Sequence, residues 1–105
     1  MAARLLSMVS HFEELVDPRV ERTRLHSLVD IICLSICAVI AGAEGWEDIE
    51  EFGRQKEAWL RQHLRLENGI PSHDTISRVF RLLKPQAFEA AFRAWVQLLA
   101  DRLGL

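Results

Sequence analysis

Glycine, proline and cysteine are scarce in this sequence, which contains five, three and two of them in 105 residues. Two cysteines are too few for a disulfide scaffold or a cysteine-based metal cluster, and so little glycine and proline excludes collagen-like and low-complexity chains. Half of the residues are apolar and 27% are charged, which is typical of a globular protein. We therefore predict a single domain with one hydrophobic core over residues 1–105.

A strong charge of one sign is also absent, because 13 lysines and arginines face 15 acidic residues and the net charge is −2. This balance excludes a polybasic tail or coat protein. Any binding of nucleic acid must therefore depend on a local cluster of basic side chains and not on the charge of the whole chain.

A long hydrophobic run is lacking as well. The most apolar stretch, residues 28–43, contains Asp30 and Ser35 and is shorter than the roughly twenty residues that span a bilayer. The N-terminus carries one positive charge and too short an apolar run for a secretory signal. We predict a buried core helix over this stretch, no membrane partner and a cytoplasmic protein.

Strand patterns are nearly absent, whereas helical spacing recurs along the chain. Turn signals at Asp17-Pro18, residues 42–45, residues 68–71 and Lys84-Pro85 separate the helical segments. These features predict an all-α protein, a compact bundle of four to five helices with a helix-turn-helix-like pair.

The predicted helices differ in how their apolar residues are arranged. The first either spans residues 4–16 or begins at Ser10, whose spacing to Glu13 is that of a capping box. The second begins after Ser27, ends at Gly42 and has apolar residues around most of its circumference, which indicates a central helix. The third covers residues 46–66, and Gly53 within it indicates the close approach of another element.

Two further helices complete the predicted bundle. Ser72 caps the fourth, and Pro85 either closes that helix or opens the last one, which reaches Leu103. The side chains predicted to face the core in these two helices are Ile76, Val79, Phe80, Leu83, Phe88, Phe92, Trp95, Val96, Leu99 and Leu103.

Three clusters could carry chemistry, and each has a simpler structural interpretation. Cys33 and Cys37 share a helix face, but a zinc site needs four ligands, so we predict two core residues. The acidic residues between 44 and 51 favour a solvated helix start, where acids stabilise the amide end. Residues 72–74 read Ser-His-Asp, but neighbours at a helix start cannot align as nucleophile, base and orienting acid. We therefore predict no catalytic residue, no metal site and no cofactor in this chain.

The helix that follows Ser72 is the most informative segment. Residues 72–84 carry three basic residues and one acid, and an apolar stripe fixes one face to the protein. A DNA-recognition helix has small polar residues near its start and arginines on its flank. An ordinary amphipathic helix with a polar outside fits the same spacing, so both interpretations remain open. The candidate DNA contacts are His73, Thr75, Ser77, Arg78, Arg81 and Lys84, with Arg54 as a further phosphate contact.

Several ordered motifs resemble the N-terminal domain of bacterial insertion-sequence transposases of the H-repeat-associated group. The resemblance covers about residues 8–100, nearly the whole chain. The motifs are His11-Phe12, Leu15, Asp17-Pro18-Arg19, residues 38–43, Trp46, residues 49–53, residues 68–75, residues 78–80 and residues 92–95.

The resemblance implies a role in DNA transposition. In that family the helical domain precedes an RNase-H-like catalytic domain, whose DDE triad binds divalent metal for strand cleavage and joining. None of the carboxylates in this chain matches that triad, so we expect no enzymatic activity from it. The sequence is then a truncated gene, an excised domain or a domain with a separate role.

Two functions follow from these observations. The first is binding of DNA at transposon ends, or assembly on it. The alternative is a protein-interaction module that forms a homodimer or docks the catalytic transposase domain without touching DNA, which the acidic helix over residues 46–57 and the negative net charge favour.

Overall fold

The computed structural model describes Phe12, Arg19 and residues 26–104, and this part of the chain contains helices and no strand. The all-α prediction is therefore confirmed, whereas the predicted helix over residues 4–16 and its cap at Ser10 lie outside the described residues. Residues 26–104 contain five helices: α1 (Leu28–Ile40), α2 (Trp46–Gln55), α3 (Glu57–Leu60), α4 (His73–Leu82) and α5 (Pro85–Leu103).

Helix α1 supplies the largest part of the core. Ser27 caps it by accepting the backbone N–H of Asp30 at 3.0 Å, as predicted. Gly42, at φ +108°, ends it in a Schellman motif, in which the N–H of Ala43 reaches the carbonyl of Ala38 at 2.9 Å. The fully buried apolar side chains of α1 are Ile31, Ile32, Cys33, Leu34 and Ala38.

The last turn of α1 limits the prediction of a central helix with neighbours on several sides. Val39 and Ile40 are 58% and 72% exposed. They border an open apolar groove and are not covered by another described helix. The apolar circumference of this segment is therefore a core only up to Ala38.

Asp30 connects the start of α1 to a distant loop. Its carboxylate is buried and accepts the backbone N–H of Leu66 at 2.8 Å and that of Arg65 at 3.4 Å. A loop in the interior must have its N–H groups paired, and here the partner is a side chain that lies 36 residues earlier in the chain.

The predicted single helix over residues 46–66 is wrong in its length. Helix α2 ends at Gln55, Lys56 departs from helical geometry with φ −109°, and α3 has only four residues. A straight helix of this span would be about 30 Å long and would carry its last residues away from α1. The turn after α3 instead buries Leu64 and Leu66.

Gly53 allows the close approach that its position in the sequence predicts. A Cβ atom at this residue would lie 2.8 Å from Cγ2 of Ile70 and 3.2 Å from Cδ1 of Leu34. Helix α2 therefore packs tightly between α1 and the loop that leads to α4.

Helices α4 and α5 confirm most of the predicted apolar stripe. Ile76, Val79, Leu83 and Trp95 are buried, while Phe80 is only half-buried. Pro85 occupies the first turn of α5. The predicted inward positions of Val96 and Leu103 are wrong, since both side chains are exposed. They are exposed because the described part of α5 extends past the core beyond Trp95.

The predicted helix-turn-helix-like pair is not confirmed. Helix α4 packs against α2, but residues 56–72 lie between them in sequence, whereas a helix-turn-helix joins its helices by three or four residues. Among the described helices, none has both the length and the apolar character needed to cross a bilayer.

Candidate nucleic-acid interface

The outward face of α4 displays two arginines on a rigid support. Ile76 and Val79 fix the opposite face in the core, so at 100° per residue Arg78 and Arg81 point away from the protein. Both arginines are exposed, as is Lys84 at the start of α5. No ion pair joins these three cations to another residue in the described part of the chain.

The small polar residues of α4 have different surroundings. Ser72 accepts the N–H of Thr75 at 3.3 Å, and its hydroxyl also donates to Oγ1 of Thr75 at 3.2 Å. Thr75 is therefore part of the helix cap. Ser77 is half-buried on the flank next to Arg78, where its hydroxyl lies beside the outward face.

The remaining two predicted contacts, Arg54 and His73, meet at a carboxylate of α2. Glu50 accepts the backbone N–H of His73 at 2.7 Å and contacts its ring Nδ1 at 2.9 Å. The same carboxylate accepts Nε and Nη2 of Arg54 at 3.0 and 2.7 Å. The side chain of Glu50 is only 18% exposed, whereas those of Arg54 and His73 are 63% and 41% exposed, so the carboxylate lies beneath two donors that remain partly at the surface.

The charges in this cluster stabilise one another. The backbone N–H of His73 and then the Arg54 guanidinium lower the pKa of the Glu50 carboxyl from 4.5 to about 2. The hydrogen bond to Glu50 raises the pKa of the His73 imidazole above its ordinary 6.5. Glu50 also lies at the amide end of α4, where a negative charge is favoured by the helix dipole.

These shifts predict how stability changes with pH. A lowered carboxyl pKa contributes stability above pH 4.5 that is lost as the pH falls towards 2. A raised imidazole pKa contributes stability below pH 6.5 that is lost as the pH rises through the folded-state value. We expect the contribution of this pair to be greatest between these limits. Melting temperatures from pH 3 to 9 measure it: Glu50→Gln should flatten the acid side and His73→Asn the basic side, and unchanged profiles would contradict the link.

The Ser-His-Asp sequence at residues 72–74 does not form a nucleophile–base pair here. The hydroxyl of Ser72 hydrogen-bonds Thr75, and Nδ1 of His73 faces Glu50. Nε2 of His73 lies 3.5 Å from Asp74. The histidine thus joins two carboxylates and not a hydroxyl.

Metal-ligand clustering is not found among the residues that the structure describes, which contain no group of three or more His, Cys, Asp or Glu side chains arranged to hold an ion. Cys33 is buried and Cys37 is half-buried. Burial raises the pKa of the Cys37 thiol, which disfavours the thiolate that would bind metal.

A second surface is apolar. A groove of about 280 Å³ opens between α1, α2, α4 and α5, and exposed Val39, Ile40 and Trp46 line part of it. The rings of Trp46 and Phe80 stack with their centroids 5.6 Å apart, and Phe88 packs edge-on against Phe80 with a centroid distance of 5.7 Å. Exposed apolar patches of this kind occur at protein interfaces.

Glu50 is the residue of the site that sequence reasoning missed. Glu50 precedes Arg54 by four residues, a spacing that suggests an ion pair along one helix. Such a pair agrees with the solvated helix start that we predicted for the acidic residues between 44 and 51. The contact to His73 joins residues 23 positions apart, and no local pattern indicates it.

Comparison with known proteins places these features in context. The model of the DDE_Tnp_1-associated family matches residues 9–96. A protein of Xanthobacter autotrophicus described as "Uncharacterized protein in dhlA 3'region" is 55% identical over 95 residues, which cover 90% of this chain and 32% of that protein. The "H repeat-associated putative transposase YhhI" of Escherichia coli K12 is 45% identical over 93 residues, 89% of this chain and 25% of that protein.

A shorter relative is similar over most of its own length. The "Inactive transposase YbfQ" of Escherichia coli K12 is 51% identical over 75 residues, which are 71% of this chain and 89% of that protein. This chain spans a third or less of the length of the two longer relatives. No solved structure matches it.

Proposed function

The chain belongs to the DDE_Tnp_1-associated family. We propose that its transposase-related role is to bind DNA, at transposon ends, through the outward face of α4. The observation that carries the proposal is the exposed pair Arg78 and Arg81, which lack an ion-pair partner in the described chain and project from a helix fixed on its other side. Guanidinium groups held in this way bind phosphate or guanine edges.

Lys84 and Ser77 extend this surface in our proposal. Lys84 is exposed at the junction of α4 and α5, where an ammonium can contact a phosphate. Ser77, on one flank of α4, can contact DNA in this proposal. Thr75 is less suited to this role because it hydrogen-bonds Ser72 in the helix cap. We further propose that DNA strand cleavage in this family depends on metal-binding carboxylates outside residues 1–105.

Arginine substitutions on α4 test the proposal. We expect Arg78→Ala and Arg81→Ala to weaken binding to a labelled duplex carrying transposon ends, while the melting temperature stays nearly unchanged because both side chains are exposed. Loss of a phosphate contact should lower the salt slope by about one unit and weaken binding to all sequences alike, whereas loss of a base contact should cost about 1–3 kcal/mol at one position.

Arg93→Ala is the matched control, because Arg93 is exposed on α5 and paired with Glu89 at 2.6 Å. Binding should be compared with a scrambled duplex at 50 and 200 mM salt. If both α4 variants bind like the parent and like Arg93→Ala, or if the parent shows no preference for transposon ends, the proposal fails.

A protein-interaction role, as a homodimer or as a docking site for a catalytic domain, is the second candidate. The groove lined by Val39, Ile40 and Trp46 favours it. For a homodimer, the solution mass should rise with concentration, and Ile40→Glu should abolish the rise without unfolding the chain, because Ile40 is largely exposed.

A further inference from the structure

The carboxylate of Glu50 occupies a position suited to a phosphate. A helix start, a guanidinium and an imidazole together form the kind of donor set that binds phosphate oxygens. In this chain the first amide of α4, Arg54 and His73 provide that set, and all three already contact Glu50 within 3.0 Å. A DNA phosphate could engage the first amide of α4, and the Nε and Nη2 groups of Arg54 that Glu50 holds, only by displacing the carboxylate.

We propose that Glu50 is a specificity-determining residue of the α4 surface, because it holds Arg54, His73 and the first amide of α4 away from backbone phosphates. This inference rests on the proposed DNA-binding function. Arg78 lies five residues after His73, roughly 7.5 Å along the helix axis, so the withheld donors lie at the start of the helix whose outward face carries Arg78. Because Glu50 occupies these donors, the α4 surface makes fewer phosphate contacts that are independent of DNA sequence. Arg78 and Arg81 then dominate DNA recognition.

The chain contains a matched pair that isolates this effect. Arg61 donates Nε and Nη2 to one oxygen of Glu57 at 3.0 and 2.8 Å, nearly the same geometry as Arg54 on Glu50. Glu57 lies on α3 and, within the described chain, has no hydrogen bond to α4. Glu50→Gln and Glu57→Gln therefore remove the same charge and release one arginine each, but only the first does so beside α4.

The test compares both variants on scrambled duplex. Glutamine retains an oxygen that can accept the N–H of His73, so we expect Glu50→Gln to stay folded. Its affinity for scrambled duplex should exceed that of Glu57→Gln, and the ratio of the two affinities should be about three to four times larger at 50 than at 200 mM salt, as one added phosphate contact requires. Its preference for transposon ends should fall.

Arg54→Ala keeps the inference falsifiable if Glu50→Gln loses stability, and a double variant tests it further if Glu50→Gln is stable. Arg54→Ala in the parent should cost clearly less DNA affinity than Arg78→Ala, because Glu50 already holds the Nε and Nη2 groups of Arg54. The double variant Glu50→Gln/Arg54→Ala should return the salt slope to the parental value. Equal binding by Glu50→Gln and Glu57→Gln, or an Arg54→Ala loss as large as that of Arg78→Ala, would overturn the inference.

The proposed function and this inference fail in different ways. If Arg78→Ala and Arg81→Ala bind like the parent, the α4 surface is not the DNA-binding site and the role of Glu50 falls with it. If those variants weaken binding as expected but the two glutamate variants behave alike, only the inference about Glu50 is wrong.

Discussion

Trp95→Ala should destabilise the domain by about 3–5 kcal/mol, the range found when a buried aromatic side chain is truncated. Trp95 is only 5% exposed, and Phe92 packs against it with ring centroids 6.0 Å apart. Removing the indole leaves a cavity next to an aromatic cluster that cannot fully collapse. Because a domain of this size has a total stability of similar magnitude, urea unfolding should show a large loss of folded protein at 25 °C.

Two controls separate packing from other effects of the substitution. Val96 is the next residue of α5 and is 43% exposed, so Val96→Ala should change the unfolding free energy much less. The indole N–H of Trp95 has no hydrogen-bond partner in the structure as described, so Trp95→Phe should cost clearly less than Trp95→Ala. A Trp95→Ala melting temperature within a degree or two of the parent would show that Trp95 does not support the core.

Asp30→Ala should cost about 2–4 kcal/mol, because it removes a charged acceptor from two buried or partly buried N–H groups. Its carboxylate accepts the backbone N–H of Leu66 at 2.8 Å and that of Arg65 at 3.4 Å. Without it the turn after α3 loses its attachment to α1, and Leu66, held at φ +45°, loses the hydrogen bond that accompanies its strained backbone.

The comparison variants for this prediction are Asp30→Asn and Asp74→Ala. Asparagine keeps one carbonyl oxygen that can accept the N–H of Leu66. Asp30→Asn should therefore lower the unfolding free energy less than Asp30→Ala does. Asp74 is an exposed first-turn acid of α4, and removing it should cost about 1 kcal/mol or less. Equal losses for Asp30→Ala and Asp74→Ala would mean that the attachment contributes little.

Most of the helical architecture can be predicted from local sequence. Ser27 and Ser72 cap α1 and α4 as their positions indicate, Gly42 ends α1, and Pro85 opens α5. These signals are local because a cap needs only a side chain within three residues of the amide that it satisfies. The length of the helix that begins at Trp46 could not be predicted in this way, because the stop at Gln55 has no glycine or proline to mark it.

The candidate site is predictable only in part for the same reason. Helical spacing places Arg78 and Arg81 on the outward face, opposite Ile76 and Val79, and the structure agrees. The predicted DNA contacts also include His73 and, as a phosphate contact, Arg54. The structure joins both to Glu50, a contact between two helices that no single-helix pattern contains.

The sequence by itself determined the helical class, the caps and the buried stripe of α4, since each depends on neighbours within about one turn. Tertiary structure alone decided three features: the turn after α3 that Asp30 satisfies, the exposure of Val39 and Ile40, and the occupation of the α4 amide end by Glu50. Each of these depends on which helices meet in space. That choice is made by the packing of the whole core and not by any one segment.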